Sequence, residues 1–157
     1  MGSGEFDDEE FFRAISKTGA RVLIIGRRAL ILLGAPVMTA HYDVWVHIDD
    51  IEKLNTAFDA LAHAPSRTPD EARKTGRYVI ENGERIDVIV ARSASTPAGV
   101  ALAFEAAWTR RQPVSISGEV TVFLPSIEDL ITTKRWGSRP KDLVDIQFLE
   151  TLRRRAP

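Results

Sequence analysis

The sequence contains no cysteine, and that one absence removes a disulfide framework, a thiolate-ligated zinc site and a thiol nucleophile together. It fits a reducing compartment, and the cytoplasm is the expected location. No apolar run approaches the roughly 20 residues that a bilayer-spanning helix needs, and the N-terminus lacks a charged-then-apolar signal pattern. No membrane association is expected. Charge of one sign is also lacking: 21 Lys and Arg against 22 Asp and Glu leave a formal net charge of −1, which exerts no long-range pull on nucleic acid. Arg153 to Arg155 form a small basic tail that solvation explains. Internal repeats and low-complexity tracts are absent. So is any basic stripe interleaved with aromatics, which argues against nucleic-acid binding as the main task.

What is present suits a globular domain. With 157 residues, 44% hydrophobic and 27% charged, the chain can bury a core of its own. The opening MGSGEF, residues 1–6, reads as a remnant of cloning, and one domain is expected over 7–157.

Periodicity sets out alternating elements. Asp7 to Lys17 starts acidic, carries Phe11, Phe12 and Ile15 on one side and stops at Gly19, the pattern of a short amphipathic helix. Arg21 to Ile25 reads as a core strand that breaks at Gly26. A short helix to about Gly34, a turn at Pro36 and a second strand from Tyr42 to Ile48 follow. Along that strand Val44 and Val46 share one face, and Asp43, Trp45 and His47 share the other. Asp49 or Asp50 is positioned to cap a helix to about His63, with Ile51, Leu54, Phe58 and Leu61 on one stripe. Ala64 to Thr75 has no periodicity and reads as an exposed connection, with a mobile flap as the alternative.

The hairpin Arg77 to Ala91 has Asn82-Gly83 at its centre, suited to a type I′ turn. Its second strand places Ile86, Val88 and Val90 on one face and Asp87 and Ile89 on the other. Thr96 and Pro97 are expected to open a helix to about Arg110, and Val114 to Leu124 offers two short strands around Ser117 and Gly118. Ser126, with Asp129 three residues on, is expected to cap a helix to about Trp136. A break from Gly137 to Pro140 then leads to a last helix from Lys141.

The stretch VLIIGRRALILLGAPVMTAHYDVWV, residues 22–46, resembles the signature of the nucleotidyltransferase-fold superfamily, especially its minimal and abortive-infection toxin types. Those proteins carry a strand, Gly-Gly or Gly-Ser, a helix, and Arg-x-Thr-x-Asp-x-Asp on the next strand. Gly26, Ala29, Gly34, Pro36, Thr39 and Asp43 match in order. Arg27 stands where the family has Gly or Ser, Val37 where it has Arg, and His41 where it has the first Asp of the pair. Asp87 corresponds to the third carboxylate, and Lys134, Arg139, Asp142 and Asp145 match the family's C-terminal pattern. The resemblance spans Arg21 to Leu152. It implies an α/β (α+β) fold: a mixed β-sheet flanked by helices, with C-terminal helices, and Asp43 beside Asp87.

It further implies metal-dependent transfer of a nucleotidyl group from an NTP to a hydroxyl on a protein, RNA or small-molecule acceptor, with a partner protein as a further expectation. That chemistry must neutralise a polyphosphate, align the attacking oxygen and stabilise charge on the α-phosphate, which divalent ions held by carboxylates achieve. The implied catalytic residues are Asp43, Asp87 and Lys134. Asp87 becomes a general base if crowding by Asp43 raises its pKa. Mg²⁺ or Mn²⁺ falls to His41, Asp43 and Asp87; the imidazole removes one negative charge and favours a nitrogen-tolerant metal. The nucleotide falls to Gly26, Arg27, Arg28, Thr39, Lys134 and Arg139. Glycine before a helix lets phosphate approach backbone amides, and Arg27 either blocks that approach or replaces it with a guanidinium clamp.

Ordinary roles compete with these. Asp43 can pair with Arg27 or Arg28, Lys134 can be an exposed helical lysine, and Arg139, Asp142 and Asp145 can staple the last two helices. His47, His63 and the Trp side chains read as packing or surface residues, with Trp45 a weak candidate for stacking a base. The departures at Arg27 and His41 support a second overall reading, a degenerate, noncatalytic member that binds a nucleotide, another anion or a protein.

Overall fold

Four consecutive apolar residues form β1 (Val22–Ile25), and all four are buried because both faces of this strand are covered. Val22 and Ile24 enter the main core; Leu23 and Ile25 enter a second cluster on the other side. The computed structural model that shows this describes residues 8–95, 99, 101–136 and 139–155. Before β1 lies α1 (Asp8–Lys17), and after it come α2 (Gly26–Leu32), β2 (Tyr42–Val46) and α3 (Ile51–Asp59). Then follow β3 (Ala64–Pro65), α4 (Pro69–Thr75), β4 (Arg77–Asn82), β5 (Glu84–Ile89), β6 (Ser93–Ser95), β7 (Ala101–Ala103) and α5 (Phe104–Thr109). The chain continues through β8 (Gln112–Ser117), β9 (Val120–Leu124), α6 (Ile127–Arg135) and α7 (Pro140–Arg155).

The central sheet has five strands in the order β1-β2-β5-β4-β3. Only the β2–β5 pairing is parallel, so the sheet is mixed and carries helices, as the α/β (α+β) reading requires. One face packs Val44, Val46, Ile86, Val88 and Val90 against Phe11 and Phe12 of α1, Leu54 and Phe58 of α3, and the C-terminal helices. The other face packs Leu23, Ile25 and Trp45 against Phe104 and Ala107.

Several sequence expectations need correction. Ala64 to Thr75 is not featureless: Thr68 accepts from the backbone N–H of Glu71, Glu71 reaches back to the N–H of Thr68, and Pro69 opens α4. This reciprocal cap is written in Thr68-Pro69-Asp70-Glu71, but the helix it starts has only 7 residues, too few to show periodicity. Asp50 precedes α3 without capping it. Its carboxylate binds Arg21 instead, at 2.8 Å from both the backbone N and Nε, and those bonds hold its pKa below the usual carboxylate range. The hairpin pairs Asn82 with Glu84 around Gly83, which has a φ of 78°, but Asn82 lacks the positive φ that a type I′ turn also needs there. Thr96 and Pro97 lie outside the described residues; Ala101–Ala103 is strand and α5 begins at Phe104. Met1 to Asp7 and the Gly137-Ser138 break also lie outside them. Among the described residues no helix is long and apolar enough to cross a membrane.

Candidate active site

Strand register creates the site. Parallel pairing sets Asp43 on β2 directly opposite Asp87 on β5, and adjacent strands are roughly 5 Å apart. Both carboxylates therefore project from the same sheet face into a cavity of about 200 Å³. The β1–α2 junction contributes Gly26 and Arg27 to its wall, the segment before β2 contributes Thr39 and His41, α6 gives Lys134, and the start of α7 gives Arg139 and Lys141. Cations thus surround a carboxylate pair.

Burial first, and the neighbouring Asp87 charge second, push the pKa of Asp43 above the ordinary carboxylate value; His41, Lys134 and Arg139 pull it back only in part. No hydrogen bond or ion pair among the described residues uses the Asp43 carboxylate. Asp87 is half-buried and accepts from Arg85 Nε at 3.1 Å.

Gly26 lines the cavity and also accommodates the neighbouring strand. Its φ is +70°, and a Cβ there would lie 2.6 Å from Asp43 Oδ2. The missing side chain makes room for the Asp43 carboxylate, so the glycine is matched to the acid on the neighbouring strand.

The two arginines after Gly26 diverge. Arg27 lines the cavity without pairing with Asp43; its Nε donates to Asp145 Oδ2 at 3.2 Å. Lys134 Nζ meets the same oxygen at 2.9 Å, and the two side chains of that pair are only 7% and 1% exposed. Lys134 is therefore not an exposed helical lysine. Its ion pair with Asp145 is the staple between α6 and α7, whereas Arg139 and Asp142 pair within the first turn of α7. Burial works against the ionised Asp142, but hydrogen bonds from the Arg139 side chain and backbone outweigh it and hold the pKa low.

Arg28 lies outside the cavity. It donates to the carbonyls of Thr39 and His41 and to Asp8 Oδ2, and stacks 4.0 Å from the Tyr42 ring centroid. Tyr42 donates its hydroxyl to Asp8 as well. Arg28 thus holds in place the segment that delivers Thr39, His41 and Asp43, in place of the nucleotide contact expected of it. Trp45 is fully buried, donates Nε1–H to the Ala91 carbonyl at 2.8 Å and packs edge-on against Phe104 and Trp136. It is a core residue with no ring face open to a base.

Among the described residues, no three His, Asp or Glu side chains come together as a metal cage. His41 is exposed at the rim. The donor set still fits a single hard cation: Mg²⁺ is commonly held by one or two carboxylates, with water and substrate phosphate completing its shell, and the crowding of Asp87 on Asp43 is what such a cation relieves. It does not fit a site built entirely from protein ligands. Sequence reasoning missed Arg77. It lies opposite Ile89 in the β4–β5 register, on the sheet face of Asp43 and Asp87. Strand alternation contained that signal, but only the strand order shows which face of β4 joins the site.

No protein-family model matches the sequence, and comparison with curated proteins finds no relative. Among solved structures, the chain is similar to the antibiotic-resistance factor ANT(2″)-Ia, with a TM-score of 0.65 and 16% identity over 91% of this chain and 80% of that one. It is also similar to a candidate nucleotidyltransferase from Thermotoga maritima, with a TM-score of 0.53 and 14% identity over 98% and 97% of the two chains. The chain has the nucleotidyltransferase fold.

Proposed function

We propose that the protein binds an NTP at the Asp43–Asp87 cavity and transfers its nucleotidyl group to a hydroxyl acceptor. The observation that carries this reading is the in-register carboxylate pair, ringed by cations. Asp43 and Asp87 would hold one divalent ion, Mg²⁺ or Mn²⁺, which when bound neutralises polyphosphate charge. Lys134, fixed by Asp145, presents a positive charge of set position to the phosphates, and Arg139 adds a second from the start of α7. In the transfer the acceptor oxygen bonds to the α-phosphorus, the bond from that phosphorus to the pyrophosphate oxygen breaks, and the hydroxyl proton passes to the carboxylate pair. The toxin-like subclass rests on the order of the sequence motifs.

Calorimetry with the four NTPs, with Mg²⁺, with Mn²⁺ and with neither, tests this on wild type and Asp43→Asn. Metal-dependent binding should weaken at least tenfold in the variant. Folding should not suffer. The folded-state pKa of Asp43 lies above its unfolded value, so the folded form holds that proton more tightly, and stability falls as pH rises through the interval between the two. An uncharged isostere escapes this cost, and the variant should melt at or above the wild-type temperature at pH 7. Metal-independent NTP binding that is equal in both proteins would sink the proposal.

His41 and the lack of a three-donor cage among the described residues favour the second reading, a noncatalytic module that binds a nucleotide or another anion. His41→Asp separates a weakened metal site from an absent one. Because Arg27 is already turned to Asp145, this single change should tighten Mn²⁺ binding at least tenfold, read by calorimetry. Unchanged affinity would show that position 41 does not face the metal.

A further inference from the structure

A second cavity, of about 520 Å³, shares Asp43 and Asp87 with the first and opens toward β4. Arg67, Arg77 and Arg85 line it, a local excess of positive charge in a chain whose net charge is −1. Their engagements differ. Arg85 is paired with Asp87, and Arg67 donates from Nη1 to the backbone carbonyl of Arg77 at 2.8 Å. No hydrogen bond or ion pair among the described residues engages the Arg77 guanidinium. Arg77 also lines a 360 Å³ cavity together with Asp43, Lys134 and Arg139, so it stands between the phosphate-facing cations and the second cavity.

Arg85 already offsets Asp87, so Arg67 and Arg77 share this cavity with the Asp43 carboxylate as the one acid not yet paired, and positive charge is left over for an anionic ligand. Guanidinium forks match phosphate in geometry and charge. The volume suits a small molecule, whereas a long polyanion is poorly served by a nearly neutral surface.

We infer that Arg77, assisted by Arg67, binds a phosphate group on the acceptor, so that the hydroxyl receiving the nucleotidyl group belongs to a small phosphate monoester. This rests on the proposed transfer at Asp43 and Asp87. Lys134 and Arg139 serve the NTP, Arg77 and Arg67 serve the acceptor, and the carboxylate pair lies between them. A neutral or cationic acceptor lacks the group that Arg77 holds.

The test uses the full chain with Mn²⁺ and a non-hydrolysable NTP. Calorimetry compares ribose 5-phosphate with ribose and AMP with adenosine, on wild type, Arg77→Gln and Arg67→Gln. In wild type the phosphorylated member of at least one pair should bind at least tenfold more tightly. Arg77→Gln should abolish that preference and Arg67→Gln reduce it, with NTP affinity changing less than twofold in either. Arg77 is exposed, so the variant should melt with the wild type. No preference in wild type, or a preference that survives Arg77→Gln, overturns the inference. Equal loss of NTP affinity in Arg77→Gln also overturns it, since Arg77 then belongs to the nucleotide. If no NTP binds wild type, the proposed nucleotide site fails, while phosphate-dependent binding at Arg77 is still read directly from the same pairs.

Discussion

Asp145→Ala is expected to destabilise the protein by about 3–5 kcal/mol, the usual cost of leaving one member of a buried ion pair uncompensated. Lys134 and Asp145 are 7% and 1% exposed, and Asp145 Oδ2 also receives Arg27. Alanine leaves two cations facing each other across a void, one of them cut off from water. For a chain of this size the fall in melting temperature should be on the order of 10 °C, measured by thermal or urea denaturation. The second carboxylate oxygen, Oδ1, is buried with no hydrogen-bond partner, so the native pair is itself imperfectly compensated. Lys134→Met combined with Asp145→Leu should therefore recover most of the lost stability. That double variant also separates two roles of Lys134: if the lysine serves phosphate, the variant folds but binds NTP at least tenfold more weakly. A loss below about 1 kcal/mol in Asp145→Ala would show that Lys134 reaches solvent without its partner.

Gly26→Ala should cost about 2–4 kcal/mol. Part is backbone strain: alanine at a φ of +70° occupies the left-handed region at a cost of roughly 1–2 kcal/mol. The rest is collision, because the new methyl would lie 2.6 Å from Asp43 Oδ2 and 3.2 Å from Asp43 Cβ and Cγ. The two parts can be measured separately. Gly83 has a φ of +78°, and a methyl added there would meet nothing within 4 Å, so Gly83→Ala reports strain alone. Asp43→Ala in the Gly26→Ala background removes the contacts with Oδ2 and Cγ, leaving only the 3.2 Å approach to Cβ, and the cycle should show a coupling of about 1–2 kcal/mol. Additive effects would mean that the acid does not rest on the glycine. Gly26→Ala should also lose metal-dependent NTP binding, since the carboxylate must move to admit the methyl.

The sequence by itself determined the elements whose signal is local. The VLII run announced a core strand, alternation set Asp43 opposite in face to Val44 and Val46, and the same logic set Asp87 apart from Ile86 and Val88. The Ser126 cap also formed as expected, accepting from the backbone N–H of Asp129 at 3.1 Å. The motif residues from Gly26 to Asp43 carried the resemblance that implied the nucleotidyltransferase fold. Periodicity tells which way a side chain points because the backbone geometry of a strand or helix is local. It does not tell what lies over that face. Only the tertiary structure decided that Trp45 is sealed in the core, that Lys134 is buried, that Arg28 braces the segment before β2 and that Arg77 joins the site. Arg27 and Asp145 are 118 residues apart in sequence, and nothing near either one names the other. Charged side chains choose partners by distance and burial after the chain has packed, so the direction of Asp43 was legible along the chain, while the cations around it were not.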